Sequence, residues 1–183
     1  MRTCYLNLRA SGPDPDRDEI LEIALLDDAG AILLDSFVHP RLPTIWPDAW
    51  RVARIAPEDV ANAPLIDELR PNIIEAVWDA RVVIYNAADQ APLLREVLAH
   101  AAEVRCAMRA YTTVAGECAV PRDAVQCPPL GVATAHVGHV WTGRPQRALA
   151  ACRATRAVWH WTNAQATPIQ ITPATPRMHR PEG

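Results

Sequence analysis

Three consecutive β-strand patterns at the start of the chain restrict its fold more than any other feature of the sequence. Residues 3–9 alternate apolar and polar side chains with the two-residue period of a strand. Residues 19–27 and 31–38 are two largely apolar segments that meet at the sequence Asp-Asp-Ala-Gly, which is typical of a tight hairpin turn. This order predicts an antiparallel meander of three strands.

The rest of the chain alternates strand and helix patterns, which favours parallel strands joined through helices. Strands are predicted at 81–87 and 104–112, and helical patterns cover 57–60, 65–80, 89–103, 129–138 and 146–161. Pro71 predicts a kink or a boundary in the second of these helices. We therefore expect a single α/β domain over residues 1–161, a mixed β-sheet flanked by helices. The Thr/Pro-rich segment 162–183 is expected to form a mobile tail.

Composition excludes several classes of protein. The chain has 183 residues, of which 50% are hydrophobic and 21% are charged, an ordinary globular balance. The net charge of -3 argues against a protein that binds polyanions over its whole surface. All 18 basic residues are arginines, so any basic contact to a phosphate must come from a guanidinium. No apolar run approaches the roughly 20 residues of a membrane span, and we expect no membrane association.

The five cysteines, an odd number without CxxC spacing, predict free thiols rather than a disulfide framework or a zinc site. They are Cys4, Cys106, Cys118, Cys127 and Cys152. Free thiols are typical of a reducing compartment, so the sequence favours a cytoplasmic location.

Four segments, in this order, resemble the DnaQ-like (DEDDh) 3′–5′ exonucleases. CYLNLRASGPDPDRDEILEIALLDDAGAILLDSFVHP resembles their first motif, VVIYNAADQAPLLREVL their second and GRPQRALAACRATRAVW their third. RIAPEDVANAP resembles the segment that this family carries between the first two motifs. The resemblance covers about residues 3–160 and implies the ribonuclease H-like fold. It also implies enzymes that hydrolyse a terminal phosphodiester with two Mg²⁺ or Mn²⁺ ions.

The resemblance places all five catalytic positions of the family on substituted residues. The first-motif Asp and Glu fall on Asn7 and Arg9, the second-motif Asp on Gln90, and the third-motif His and Asp on Gln146 and Ala151. Relative to the family pattern, the formal charge of the pocket changes by about +5 through the loss of four carboxylates and the gain of one arginine, whereas Mg²⁺ prefers carboxylate oxygens. We therefore expect no catalytic residue, no metal ion and no cofactor.

A shifted metal site is the alternative in which catalysis survives. Asp89 lies one residue before the second-motif position, although an aspartate there is also a typical N-cap of the following helix. Asp14, Asp16, Asp18, Glu19 and Glu22 also lie near the first motif. A solvated turn is the expected role of the acids from Asp14 to Glu19. His136 and His139 suit a metal or a proton carrier by spacing, although such residues are more often surface or packed histidines.

The substituted pocket suggests a strand-binding role. Arg9 offers a guanidinium to a phosphate, and Asn7, Gln90 and Gln146 offer hydrogen bonds. A groove of this kind would be extended by Arg144 and Arg147. The other interpretation is that Arg9 pairs with a nearby acid such as Glu22 or Asp89 and fills an inactive pocket.

The six tryptophans support a rival class, a protein-interaction module. Trp46, Trp50 and Trp161 are the candidates for a partner surface, whereas Trp78 and Trp159 are expected in the core. The sequence thus predicts a catalytically inactive exonuclease-like subunit. Its expected role is a scaffold or nucleic-acid-binding component of a protein complex, with single-stranded DNA or RNA as ligand. The alternatives are an active 3′–5′ exonuclease with a non-standard metal site and a module that binds only proteins.

Overall fold

A five-stranded mixed sheet organises the chain. The computed structural model describes residues 1–42, 45–46, 53–115 and 127–166. The strands are β1 (Thr3–Ala10), β2 (Ile20–Asp27), β3 (Ile32–Phe37), β4 (Arg81–Ile84) and β5 (Glu103–Cys106), in the order β3-β2-β1-β4-β5. The first three strands form the predicted antiparallel meander, and β4 and β5 add in parallel to β1. The predicted α/β class with a mixed sheet is confirmed.

The hairpin between β2 and β3 closes where the sequence placed its turn. Gly30 adopts a positive φ of 93°, a conformation that side-chain-bearing residues rarely take. The Gly30 amide donates to the Asp27 carbonyl at 3.1 Å, and the Asp27 carboxylate accepts from the Ala31 amide at 2.7 Å. These local contacts set the register of β2 against β3.

Helices cover both faces of the sheet. In the described residues they are α1 (Pro57–Val60), α2 (Ile66–Val77), α3 (Ala87–Gln90), a 3₁₀ turn (Ala91–Leu94), α4 (Arg95–Leu98), α5 (Ala107–Ala115), α6 (Leu130–His136) and α7 (Ala148–Ala166). Within these parts of the chain, no helix combines the length and apolarity needed to cross a bilayer.

Four boundary predictions are corrected. The helix predicted over 89–103 is broken into three short pieces, because Pro92 has no amide hydrogen for a continuous helical ladder. The strand predicted over 104–112 ends at Cys106 and continues as α5. Helix α2 passes through Pro71 without a boundary. The last helix runs to Ala166, five residues into the predicted tail; residues 167–183 lie outside the described part of the chain.

Strand alternation divides the core between the two faces of the sheet. Leu6, Leu8 and Ile23 pack with Ile73 of α2 on one face. Tyr5, Ala24 and Val83 pack with Tyr111 of α5 and Trp159 of α7 on the other. Because Asn7 and Arg9 share the alternation of Tyr5, they belong to the α7 face.

Small residues let α7 lie close to that face. Ala148, Ala151 and Cys152 are buried, and the Cys152 thiol donates to the carbonyl oxygens of Ala24 and Tyr5 at 3.1 and 3.6 Å. Burial raises the pKa of the Cys152 thiol well above its ordinary value. This cysteine is therefore a packed, neutral group within the third motif.

The burial of two tryptophans is the opposite of what the sequence predicts. Trp46, a candidate for a partner surface, is only 5% exposed and lies in a core cluster with Ile55 and Val60. Trp78, expected in the core, is 59% exposed and stacks on His100 with ring centroids 5.3 Å apart. The prediction for Trp46 is wrong because its indole N–H has a buried partner, the Ile55 carbonyl at 2.6 Å.

We expect Trp46→Phe to lower the free energy of unfolding by about 1–3 kcal/mol, because it leaves the buried Ile55 carbonyl without its donor. Trp78→Phe is the matched control and should change stability far less, since its ring is mostly solvated. Urea unfolding monitored by circular dichroism measures both variants. Equal effects would mean that Trp46 is not part of the core.

Candidate functional site

Arg9 is held at the end of β1 by oxygens of neutral groups. Its Nη1 donates to the Asn7 Oδ1 at 2.6 Å and to the Leu8 carbonyl at 3.1 Å. Its Nε donates to the Gln146 carbonyl at 2.6 Å, which ties β1 to the start of α7. Asn7 is 2% exposed, whereas Arg9 is half-buried. The Nη2 group of Arg9 makes no hydrogen bond to any residue in the described ranges.

Gln90 contacts β1 from the side of β4, opposite to β2. The pairing of β4 with β1 ends at Val83 and Tyr5, so the amide of Leu8 lies beyond the partner strand. The Gln90 Oε1 accepts from that amide at 3.1 Å. The second-motif side chain therefore completes the backbone hydrogen bonding of β1.

Glu22 lies directly across the sheet from Arg9, as its register partner on β2. It is 1% exposed, and its Oε1 accepts from Arg147 Nε at 2.9 Å. The Arg147 guanidinium also lies 4.1 Å from the ring centroid of Phe37, the register partner of Glu22 on β3. The other carboxylate oxygen, Oε2, has no hydrogen-bond partner among the described residues.

Burial dominates the electrostatics of this cluster. It raises the pKa of Glu22, an effect opposed by the charge and hydrogen bond of Arg147 and by the backbone amide of Ala148. Burial likewise lowers the pKa of Arg9, opposed by the charge of Glu22. With both arginines and Glu22 ionised, the three side chains carry one net positive charge.

The interpretation that Arg9 pairs directly with an acid is not what the structure shows. Glu22 is bonded to Arg147, and Arg9 donates only to uncharged oxygens. Asp89 is exposed and accepts from the side chain of Asn86. It is also not an N-cap, because α3 begins at Ala87 with Asn86 in the capping position.

The remaining third-motif positions contribute little side-chain chemistry. Ala151 is 1% exposed within α7, and the Gln146 side chain is exposed while its carbonyl holds Arg9. Arg144 is exposed, and its carbonyl accepts from the Arg147 amide at 3.0 Å. Since Arg147 is turned to Glu22, these arginines do not line one continuous groove with Arg9.

The donor set does not fit the two divalent ions that the family implies. Across the described ranges, no group of three or more His, Cys, Asp or Glu side chains is arranged to hold a metal ion. Glu22, the carboxylate in register with Arg9, is already bonded to Arg147. A cation there would meet the like charge of Arg9.

The acidic segment between β1 and β2 forms the turn that its composition predicts. Asp18 accepts from the Ser11 hydroxyl and the Asp14 amide, both at 2.8 Å. Glu19 accepts from the amide of Arg41 at 2.6 Å. These carboxylates are used by the backbone and do not converge on Arg9.

The contacts that the structure gives for His136, His139 and Trp161 do not include Arg9. Tyr111 and Nδ1 of His136 are joined by a 2.5 Å hydrogen bond, and Trp161 packs on His136 with ring centroids 5.0 Å apart. Trp161 is half-buried in that cluster and offers only part of its ring to a partner. Burial lowers the pKa of His139. Trp50 lies outside the described residues.

Glu22 is the site residue to which sequence reasoning assigned no definite role. The signal was an acid inside the apolar segment ILEIALL, which forms a strand buried on both faces. A buried acid requires a partner. The sequence could not identify Arg147 as that partner, because 125 residues separate the two.

This geometry defines a ribonuclease H-like domain with an arginine-centred cluster at the end of β1. The chain is 30% identical over 155 residues to an uncharacterized exonuclease, CP81, of Escherichia phage 186, covering 78% of this chain and 79% of that protein. The chain therefore belongs to the DnaQ-like (DEDDh) exonuclease family. No family profile matches the sequence.

Solved structures show the same fold at low sequence identity. Exonuclease X in complex with 5′ overhanging duplex DNA gives a TM-score of 0.67 at 21% identity, over 91% of this chain and 94% of that one. The nuclease domain of 3′hExo bound to rAMP gives 0.65 at 17% identity, over 89% and 92%. Exonuclease I of E. coli with a dT13 oligonucleotide gives 0.71 at 13% identity, over 90% of this chain and 41% of that one.

Proposed function

We propose that this chain binds the 3′ end of single-stranded DNA or RNA without hydrolysing it. In this proposal it is a non-catalytic subunit of a nucleic-acid-handling complex in the cytoplasm. The observation that carries the proposal is Arg9, which stands where the family resemblance implies a metal-binding glutamate and keeps its Nη2 without a described partner. The free thiols of Cys4, Cys106, Cys127 and Cys152 agree with a reducing compartment.

The hydrogen bonds of Arg9 prepare it to receive an anion. Asn7 and the Gln146 carbonyl fix the plane of the guanidinium, so little side-chain freedom is lost when a phosphate binds. An arginine–phosphate contact is a charge-assisted hydrogen bond, about twice as strong as a neutral one. At ~4 Å and an effective dielectric of about 20, the attraction is about 4 kcal/mol before desolvation is subtracted.

The same cluster supports the absence of hydrolysis. The family's reaction needs carboxylates that gather metal ions around a water molecule. Here the equivalent positions hold amides, a methyl group and a cation, and Glu22 is bound to Arg147. The pocket is therefore built to attract a phosphate and to repel a divalent metal ion.

Edge strand β3 supports a role inside a complex. Ile32 and Leu33 on this strand are 51% and 41% exposed, and among the described strands β3 pairs with β2 alone. A free strand edge with apolar side chains is a template for pairing with another chain. Co-purification with the full chain identifies the partner in such a complex.

We expect 3′-labelled single-stranded oligonucleotides to give a stable, saturable rise in anisotropy that weakens with salt. Arg9→Ala should weaken binding by roughly tenfold to a hundredfold, the range for one charge-assisted hydrogen bond. Arg17→Ala is the charge-matched control, because the Arg17 side chain is 86% exposed on the acidic turn. Titrations with Mg²⁺ or Mn²⁺ present, followed over time, measure affinity and hydrolysis together.

Two results would contradict the proposal. A rise followed by decay to the signal of free label would show hydrolysis and favour the active enzyme with a non-standard site. No rise at micromolar protein would leave the module that binds only proteins.

A further inference from the structure

A second cleft, outside the Arg9 cluster, is lined by basic and neutral residues alone. It has a volume of about 710 Å³ and lies along β5, bounded by the start of α3 and by α5 and α7. Its described lining contains no acid and three arginines, which are Arg81, Arg105 and Arg109. We propose that this cleft binds the phosphate backbone of a single strand whose 3′ end lies at Arg9.

The net positive charge of the cleft favours a negatively charged strand as its ligand. Arg81 and Arg105 share one carboxylate, that of Glu103. Arg109 is exposed and forms no ion pair with any residue that the structure describes. Three guanidinium groups against one carboxylate leave about two positive charges in a protein of net charge -3.

A cleft on the other face of the sheet combines arginines with acids in its lining. It has a volume of about 280 Å³ and lies on the α2 face of the sheet, where arginines also occur. There Arg70 is bonded to Asp67 and Glu96 at 2.9 and 2.8 Å. Arginines whose charges are neutralised by neighbouring acids attract a polyanion far less, so the β5 cleft is the better candidate.

Helix α3 connects the β5 cleft to the Arg9 cluster. Gln90, at one end of α3, bonds to β1 beside Arg9, while Ala87 and Ala88 at its other end line the cleft. Three helical steps span about 5 Å, less than the length of one nucleotide unit of an extended strand. A strand held at Arg9 can therefore enter the cleft with its next phosphates. This inference rests on the proposed function.

We expect the cleft to contribute to the binding of long strands only. The variant Arg105→Ala/Arg109→Ala should weaken the binding of a 3′-labelled 12-mer about tenfold. It should also reduce the slope of log affinity against log salt by about 1.4, the value for two phosphate contacts. The affinity of a 3-mer should not change. Arg17→Ala is again the charge control, and Arg9→Ala should weaken both lengths.

Cys106 gives a readout that does not depend on affinity. Its half-buried thiol lines the cleft, whereas Cys127 is exposed and lies outside the described lining. We expect the 12-mer, but not the 3-mer, to slow alkylation of Cys106 while Cys127 reacts at an unchanged rate, as measured by peptide mass spectrometry.

The outcomes separate this inference from the proposed function. If Arg9→Ala weakens binding but the double variant binds the 12-mer normally, or Cys106 is not protected, the cleft assignment is wrong and the proposed function stands. If the double variant weakens the 3-mer as much as the 12-mer, the cleft is not an extension of the Arg9 site. If the wild-type protein binds neither length, both proposals fail.

Discussion

Arg147→Met lowers the free energy of unfolding by about 3 kcal/mol at neutral pH. The substitution keeps the aliphatic stem over Phe37 but leaves Glu22, which is 1% exposed, without its direct partner. Removing one member of a buried ion pair typically costs about 3–5 kcal/mol, because the other charge stays desolvated. We expect the lower end of this range, since the charge of Arg9 still acts on Glu22. Urea unfolding measures the change.

The pH dependence of the stability loss in Arg147→Met identifies the buried charge of Glu22 as its cause. Loss of Arg147 raises the pKa of Glu22 further in the folded state, while the unfolded value is unchanged. An acid whose folded pKa is raised contributes stability that is fully present below its unfolded pKa and lost as pH rises through the folded pKa. The deficit of the variant should therefore be small in acid and grow from the ordinary glutamate range upward.

The double variant Arg147→Met/Glu22→Gln is the matched control. It removes both charges, so it should recover most of the lost stability at neutral pH and show no extra loss as pH rises through the window of Glu22. A deficit of equal size in acid and at neutral pH would instead assign the loss to packing against Phe37.

Restoring the family's residues at all five positions creates a metal-binding site. The variant is Asn7→Asp/Arg9→Glu/Gln90→Asp/Gln146→His/Ala151→Asp, which returns about five negative charges to the pocket. Without metal we expect its melting temperature to fall below that of the wild type, because the new carboxylates lie beside the buried Glu22.

Millimolar Mg²⁺ should raise the melting temperature of the restored variant and leave the wild type unchanged. A ligand at about 100 times its dissociation constant stabilises by about 2.7 kcal/mol. Thermal unfolding with and without Mg²⁺ measures this even if hydrolysis is not recovered, and Arg9→Glu alone is the control for charge. A saturable Mg²⁺ effect on the wild type would show that it holds a metal site, and the non-catalytic proposal would then be wrong.

Local periodicity predicted the sheet but not every helix boundary. The alternation in residues 3–9 and the Asp-Asp-Ala-Gly turn depend on neighbours in sequence, so the meander was predictable. The pattern from 89 to 103 has helical spacing, but the missing amide hydrogen of Pro92 breaks it into short turns. The apolar segment after 104 suits a strand or a helix, and packing of α5 against α7 selected the helix.

The roles of Trp46 and Trp78 depended on contacts between distant elements. The sequence positions of the tryptophans do not show which distant residues contact each ring in the folded chain. Trp46 is buried through the carbonyl of Ile55, whereas Trp78 ends α2 at the surface and stacks on His100.

The sequence by itself determined the family and the order of the strands along the chain, and it predicted that five family positions are substituted. These follow from residue types and their spacing. The tertiary structure alone decided what the substitutions do: Arg9 is held by Asn7 and Gln146, while Glu22 pairs with Arg147 rather than with Arg9. Hydrogen-bond and ion-pair partners depend on distance and desolvation in the folded chain, which a one-dimensional pattern does not contain.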